Sequence, residues 1–212
     1  HGRLLRSRNQ RRRAKVLLTR FGSLPMTGAE PAQPVLRLTD ITKRFGSVTA
    51  NEAVTFDLAR GEVIALLGEN GAGKTTLMNI LFGQYTADTG EVEIFGKPMP
   101  PGNPRAALDA GVGMVHQHFM LVENFSVLEN VILGAEGGAV LKQGMDAARE
   151  ELKRLEQEYS LDIDVDAIVE DLPVGLQQRV EILKALYRGA KILILDEPTG
   201  VLTPQEADHL FR

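Results

Sequence analysis

A glycine-rich segment carries the clearest chemical signal in the sequence. Gly68-Glu69-Asn70-Gly71-Ala72-Gly73-Lys74-Thr75 has the spacing G-x-x-x-x-G-K followed by Thr or Ser, which is typical of loops that bind phosphate groups. Its glycines allow successive backbone N–H groups to turn toward an anion, and a following helix adds the positive end of its dipole. We expect Lys74 to reach the β- and γ-phosphates of a nucleoside triphosphate, Thr75 to bind Mg²⁺ and Thr76 to help hold the α-phosphate.

An acidic pair near the end of the sequence could complete such chemistry. The apolar run Ile192–Leu195 is followed directly by Asp196 and Glu197. Open α/β sheets bind ligands at the carboxyl ends of their strands. Asp196 is therefore predicted to hold Mg²⁺, directly or through water, and Glu197 to act as the general base that orients the attacking water. The alternative is a strand end that begins a turn, as the next residue, Pro198, suggests.

Both motifs need elements that hold them in place, and the periodicity of the sequence predicts these elements. Glu62–Leu67 is typical of a short buried strand. Lys74–Phe82 is typical of a helix, because Leu77, Ile80 and Leu81 share one helical face. The glycine-rich segment thus lies between a strand and a helix, which is the context that a phosphate loop requires.

The remaining patterns predict an α/β fold with a helical insertion. Between residues 118 and 172 the pattern is mainly helical, and Ser126 with Glu129 forms a candidate capping box. We interpret this region as a helical subdomain inserted into an α/β core. Alternating apolar and polar residues predict further strands at Val35–Leu38, Val54–Leu58 and Glu91–Phe95.

Composition excludes several classes of protein. The 212 residues include no cysteine, so disulfides and thiolate metal sites are impossible. No apolar run approaches the length of a membrane-spanning helix. Residues 1–33 carry a net charge of +7 and the remainder −11. We expect residues 1–33 to form a disordered basic head whose first 25 residues lie upstream of a true start at Met26, and residues 34–212 to form the domain. A nucleic-acid arm, a membrane-surface tail and a targeting segment are the alternatives for the head.

From Val35 to Arg212 the ordered motifs resemble the nucleotide-binding domain of an ATP-binding cassette (ABC) transporter. Besides the phosphate loop and the acidic pair, Val115-His116-Gln117 resembles the glutamine loop and Leu172–Arg179 the signature segment. The resemblance implies a P-loop NTPase core, with a mostly parallel sheet and an antiparallel β layer. It also implies that Phe45 stacks on adenine and that Gln117 senses Mg²⁺ and water. His116 and His118 flank Gln117 and are interpreted as structural, because no third metal ligand is evident.

The signature segment departs from the family pattern. The family's signature is usually Leu-Ser-Gly-Gly-Gln, and within the signature residues Pro173, Val174, Gly175, Leu176 and Gln177 it is Pro173 that stands where the serine belongs. Proline has neither a hydroxyl nor an N–H group to offer a phosphate. The composite site that contains this signature is therefore expected to be impaired. A switch histidine, which the family places beyond the acidic pair, is also missing, since His209 lies in the intervening helix. We therefore interpret the cassette as incomplete at its C-terminal end.

The residues around these motifs are similar to those of bacterial importers of simple sugars and, more closely, of nucleosides. The resemblance implies the first of two tandem cassettes, with ATP and Mg²⁺ as cofactors, peripheral to the cytoplasmic face of the membrane. The implied partners are permease subunits, a second cassette domain and, indirectly, an extracellular substrate-binding lipoprotein, with no nucleic acid. Two alternatives remain open: a soluble ABC ATPase that acts on ribosomes or DNA, and a clamp that binds ATP without hydrolysing it.

Overall fold

The computed structural model describes residues 17–21, 33–116, 119–133, 141–159 and 161–196. The chain divides into two compact units, residues 1–110 and 111–212, which are described in turn. The described elements of the first unit are β1 (Leu17–Phe21), β2 (Leu36–Phe45), β3 (Val48–Leu58), β4 (Val63–Leu67), α1 (Lys74–Leu81), β5 (Thr89–Ile94), β6 (Lys97–Pro98) and α2 (Pro104–Asp109).

An antiparallel sheet with the strand order β3-β2-β5-β6 forms one layer of the first unit. Its inward face follows the predicted alternation, with Leu36, Leu38 and Ile94 buried. A register shift between Leu38 and Ile41 changes which residues face inward, so that Ile41, rather than Asp40, is buried. The predicted antiparallel layer is confirmed.

β4 pairs antiparallel with β1, and Leu17 lies opposite Leu67. This pairing differs from the disordered head expected for residues 1–33, because five residues of that head form a strand. An unpaired strand edge presents a row of N–H and C=O groups that an extended segment can satisfy. The rest of the head, residues 1–16 and 22–32, lies outside the described residues.

α1 packs its predicted apolar face inward, since Leu77, Ile80 and Leu81 are all buried. α2 begins with proline at its first position, and the Asn103 side chain caps it by accepting the N–H of Ala106 at 3.0 Å.

The second unit contains a parallel strand pair and a set of helices. Its described elements are β7 (Val112–Val115), α3 (Val127–Ile132), α4 (Leu141–Tyr159), a 3₁₀ turn (Val169–Asp171), α5 (Val174–Tyr187) and β8 (Ile192–Leu195). β7 and β8 are parallel, with Val112 opposite Ile192 and Val115 opposite Leu195. α5 begins at Val174, directly after Pro173.

One apolar core joins these helices to β7. It includes Val127, Leu128 and Val131 of α3, Leu152 of α4 and Ile182 of α5, all at most 1% exposed. The capping box of α3 is confirmed, because Ser126 and Glu129 exchange side-chain to backbone hydrogen bonds in both directions. Helices thus occupy much of the range 118–172, while the boundaries of the predicted subdomain stay a prediction. Within the described part of the chain, no helix has the length and apolar character needed to cross a membrane.

Candidate functional site

The glycine-rich segment forms a tight loop between β4 and α1. Gly71 and Gly73 have φ values of +79° and +84°, in the left-handed region that favours glycine. Gly73 is the N-cap of α1, and the N–H of Ala72 donates to the carbonyl of Glu69 at 3.0 Å. The loop therefore leads directly into a helix N-terminus, where backbone N–H groups and the helix dipole favour an anion.

Lys74 is folded back over this loop. Its ammonium donates to the carbonyl oxygens of Gly68 at 2.8 Å and Glu69 at 3.1 Å. An ammonium carries three N–H donors, so two of them account for these bonds. The charge of Lys74 is thereby held over the loop, while its contact with phosphates stays a prediction.

Phe45 lies at the end of β2 with 48% of its surface exposed. Its ring makes an edge contact with Tyr85, with ring centroids 5.8 Å apart and an interplanar angle of 72°, and the Lys43 ammonium lies 5.4 Å from its centroid. Asp88 accepts hydrogen bonds from the Lys43 side chain at 2.9 Å and the Arg44 N–H at 2.6 Å. Both bonds lower the pKa of Asp88. Phe45 is thus an exposed aromatic side chain that its neighbours hold in place, and it can accept a stacked ring.

Asp196 follows β8 in the second unit and is 7% exposed. Its N–H donates to the carbonyl of Val115 at 3.0 Å, which extends the parallel pairing by one residue. The carboxylate therefore lies at the carboxyl end of a parallel strand, as predicted. Glu197, Gln117 and His118 lie outside the described residues, as do the turn after the acidic pair and His209.

The signature segment begins α5. Pro173 is the N-cap and makes no side-chain cap, while its carbonyl accepts the N–H groups of Leu176 at 2.8 Å and Gln177 at 3.1 Å. The Gln177 side chain turns back and donates to the carbonyl of Leu172 at 2.9 Å. Val174 is 60% exposed. The helix therefore starts at the predicted signature without the serine hydroxyl that the family usually offers there.

Two charged residues further along α5 hold the segment that follows residue 117. The carboxylate of Glu181 accepts the Met120 N–H at 2.7 Å, and the Lys184 ammonium donates to the Met120 carbonyl at 2.9 Å. Burial lowers the pKa of Lys184, although nearby Glu181 opposes this shift. Neither residue belongs to a motif recognisable in the sequence. The signal of this pair is the spacing of two charged residues one helical turn apart beside apolar neighbours.

Asn51 was also missed. It lies on β3, is 3% exposed and donates to the carbonyl of Gly73 at 3.1 Å. It precedes the alternating segment Val54–Leu58, and a single polar residue there does not by itself reveal a partner 22 residues away.

The residues of the first unit fit the phosphates of a nucleotide. The loop contains two glycines in the left-handed region and leads into a helix N-terminus, and one ammonium lies over it. Taken separately, Thr75 of the first unit offers a hydroxyl oxygen and Asp196 of the second unit offers a carboxylate oxygen, and both are ligand types that Mg²⁺ prefers. Among the described residues there is no group of three His, Cys, Asp or Glu side chains that could hold a metal ion. Magnesium commonly uses one or two carboxylates together with substrate phosphates and water, so the donor types present fit that cation.

Comparisons with known proteins agree with these features. The family model described as ABC transporter matches residues 51–200. The nucleoside import ATP-binding protein NupA of Lactococcus lactis is 51% identical over 180 residues, which cover 85% of this chain and 36% of that protein. The guanosine import ATP-binding protein NupO of Bacillus subtilis is 48% identical and is matched over 84% of this chain and 35% of its own length. The glucose import ATP-binding protein TsgD13 of Haloferax volcanii is 46% identical, with coverages of 84% and 38%.

A solved structure supports the fold independently. A nucleotide-free ATP-binding cassette from an ABC transporter superposes with a TM-score of 0.67 at 24% identity, over 84% of this chain and 74% of that one. It confirms the predicted P-loop NTPase type of α/β fold. The chain spans little more than a third of the length of the curated relatives that it matches. The phosphate loop, the order of the motifs, the fold and the family match together place this chain in the ABC transporter family.

Proposed function

We propose that this chain is part of an ATP-binding and ATP-hydrolysing subunit that powers an ABC importer for nucleosides or simple sugars. The observation that carries the proposal is the phosphate loop, with its left-handed Gly71 and Gly73 and the overlying Lys74. The names of the relatives, which import nucleosides, guanosine and glucose, support the choice of solute. Nucleosides are preferred because the relative with the highest identity reported above imports them.

Binding of ATP would use residues of the first unit. The backbone of the loop and Lys74 would bind the phosphates, Thr76 would help hold the α-phosphate, and Phe45 would stack on adenine. Lys74 would then share its donors between the loop carbonyls and the phosphate oxygens. The remaining proposed contacts come from the backbone of the loop at Gly68, Glu69, Asn70, Gly71, Ala72 and Gly73.

Hydrolysis would use residues of both motifs. Glu197 would orient and polarise the attacking water, and Gln117 would hold that water and respond to nucleotide state. We keep Thr75, Gln117 and Asp196 as proposed magnesium ligands on the strength of their motifs. Magnesium would neutralise part of the charge on the phosphate oxygens.

Partners follow from the same proposal. Permease subunits, a second cassette domain and, indirectly, an extracellular substrate-binding lipoprotein would complete the importer, at the cytoplasmic face of the membrane. Two cassettes would close around ATP and drive the permease toward its outward-facing state, and hydrolysis would reset them. The signature at Pro173, Val174, Gly175, Leu176 and Gln177 would face the nucleotide of the other cassette.

The experiment that tests the proposal measures binding of a fluorescent ADP analogue with Mg²⁺. Lys74→Ala is expected to weaken binding at least about tenfold, because a charge-assisted hydrogen bond contributes about 1.5–3 kcal/mol. Lys153→Ala is the matched control, since Lys153 lies on the exposed surface of α4, 3.5 Å from Glu150. Equal affinity in the Lys74→Ala variant and the parent chain would rule out this role for the loop.

A further inference from the structure

Asn51 binds the phosphate loop at its junction with α1. Its Nδ2 donates to the Gly73 carbonyl at 3.1 Å. The same carbonyl accepts the N–H of Leu77 at 3.0 Å, which is a backbone hydrogen bond of the first turn of α1. The Gly73 carbonyl therefore accepts two hydrogen bonds, one from the Asn51 side chain and one from the backbone of α1.

The backbone of β3 also packs directly against this point. A Cβ atom on Gly73 would lie 2.1 Å from the Ala50 carbonyl oxygen and 2.9 Å from Nδ2 of Asn51. Gly73 is in the left-handed region, with φ +84°. No side chain fits there, so Ala50 and Asn51 form a close-fitting support behind the last glycine of the loop.

Because the peptide unit is planar, the hydrogen bond to the Gly73 carbonyl also orients the N–H group of Lys74. A trans peptide is planar, and its C=O and N–H bonds point in opposite directions. By holding the Gly73 carbonyl, Asn51 fixes the direction of the Lys74 N–H. That N–H belongs to the first turn of α1, where N–H groups have no acceptor within the helix and are the groups that bind an anion.

The other end of the Asn51 side chain indicates that stability alone does not explain this residue. Asn51 is 3% exposed, and its Oδ1 has no hydrogen-bond partner among the described residues. A buried acceptor without a partner costs free energy. Leucine has the same branching pattern and no polar atom, so it would avoid this cost but could not hold the Gly73 carbonyl.

We propose that Asn51 is a positioning residue of the phosphate loop, which aims the Lys74 N–H at a phosphate by holding the carbonyl of Gly73. The inference rests on the proposed function, because it takes a nucleotide phosphate as the anion at this loop. It adds a residue of β3, outside the phosphate motif itself, to the determinants of nucleotide affinity.

The test compares Asn51→Leu and Asn51→Ala with the parent chain, and Thr49→Val serves as a matched control at an exposed position of the same strand. Mg·ADP affinity is expected to fall roughly three- to tenfold in both Asn51 variants, in line with the loss of one hydrogen bond. The melting temperature of Asn51→Leu is expected to stay level or rise. A purely structural role would instead lower stability and leave the affinity of the folded protein unchanged.

Amide hydrogen exchange of residues 68–77 in the nucleotide-free chain provides a second measurement. Exchange there is expected to be faster by about threefold or more in both Asn51 variants, and unchanged in Thr49→Val. Unchanged affinity together with unchanged exchange would overturn the inference. If the parent chain binds no Mg·ADP, the proposed function fails, and the exchange comparison alone decides whether Asn51 orders the loop. If Asn51→Leu does not fold, Asn51→Ala carries both measurements.

Discussion

Pro173 supports the start of α5 with its backbone but has no side-chain hydroxyl that could bind a phosphate. Its carbonyl accepts two N–H groups of the first turn of α5, so the helix begins without a side-chain cap. Its fixed φ, here −54°, suits a residue just before a helix. The backbone role of the N-cap is therefore met, while the hydroxyl that could bond an N–H group or a phosphate is absent.

Replacing Pro173 by serine and by alanine separates the cap from the loss of the proline ring. Both variants lose the conformational restriction that proline imposes on the unfolded chain, but only serine adds an acceptor for the N–H of Gly175 or Leu176. Pro173→Ser is expected to exceed Pro173→Ala in the free energy of unfolding by about 0.5–2 kcal/mol. Denaturant titration measures the difference, and equal stability of the two variants would contradict it.

The capping box of α3 gives a prediction at the scale of one element. Hydrogen bonds from the backbone N–H and then the hydroxyl of Ser126 lower the pKa of Glu129. A lowered folded-state pKa means that the unfolded chain binds more protons between the two pKa values. The contribution of the ionised carboxylate to stability is therefore complete above the unfolded pKa, near 4.5, and is lost as the pH falls through the folded value.

Glu129→Gln should remove this pH dependence while it keeps an oxygen acceptor for the Ser126 N–H. We expect the parent to be more stable than the variant at pH 7 by a few tenths of a kcal/mol, since the carboxylate is near the surface at a helix N-terminus. The difference should disappear below the folded pKa of Glu129. Thermal unfolding of both proteins from pH 3 to pH 7 checks this, and a constant difference across the series would exclude the carboxylate as its source.

Periodicity predicts elements better than it predicts their contacts. The strands before the phosphate loop and in the antiparallel layer, and the apolar face of α1, follow from spacing because burial selects residues at fixed intervals. β1 could not be anticipated, because its pairing depends on an available edge at β4. The start of α5 at Val174 has no capping side chain as a local sequence signal, because Pro173 provides none.

In the candidate site too, the sequence predicts residues whose geometry is set locally but not residues that act through distant contacts. Residues 68–75 and Asp196 are recognisable from local sequence, because a loop or a strand end determines their geometry. Asn51 and Glu181 are not, because each acts on the backbone of a segment distant in sequence. Such a partner becomes visible only once the chain is folded.

At the scale of the whole molecule, the signature of this chain determines whether two copies of it could hydrolyse ATP together. In the proposed function, each phosphate loop is completed by the signature of another cassette. Two copies of this chain would offer each other Pro173, which supplies neither a hydroxyl nor an N–H group to a γ-phosphate. The purified chain should therefore bind ATP without hydrolysing it.

We expect the 212-residue chain to bind Mg·ATP and to release phosphate no faster than its Lys74→Ala variant. Nucleotide at about one hundred times its Kd should raise the free energy of unfolding by about 2.7 kcal/mol. In a chain of this size that corresponds to a shift of roughly 5–10 °C in the transition that includes residues 68–76. At the same nucleotide concentration the shift should fall to about half or less in Lys74→Ala, whose affinity is at least about tenfold lower, and persist unchanged in Lys153→Ala. A thermal shift accompanied by steady turnover above the Lys74→Ala level would show that this signature completes a working site, and the assignment of Pro173 as the impaired element would be wrong.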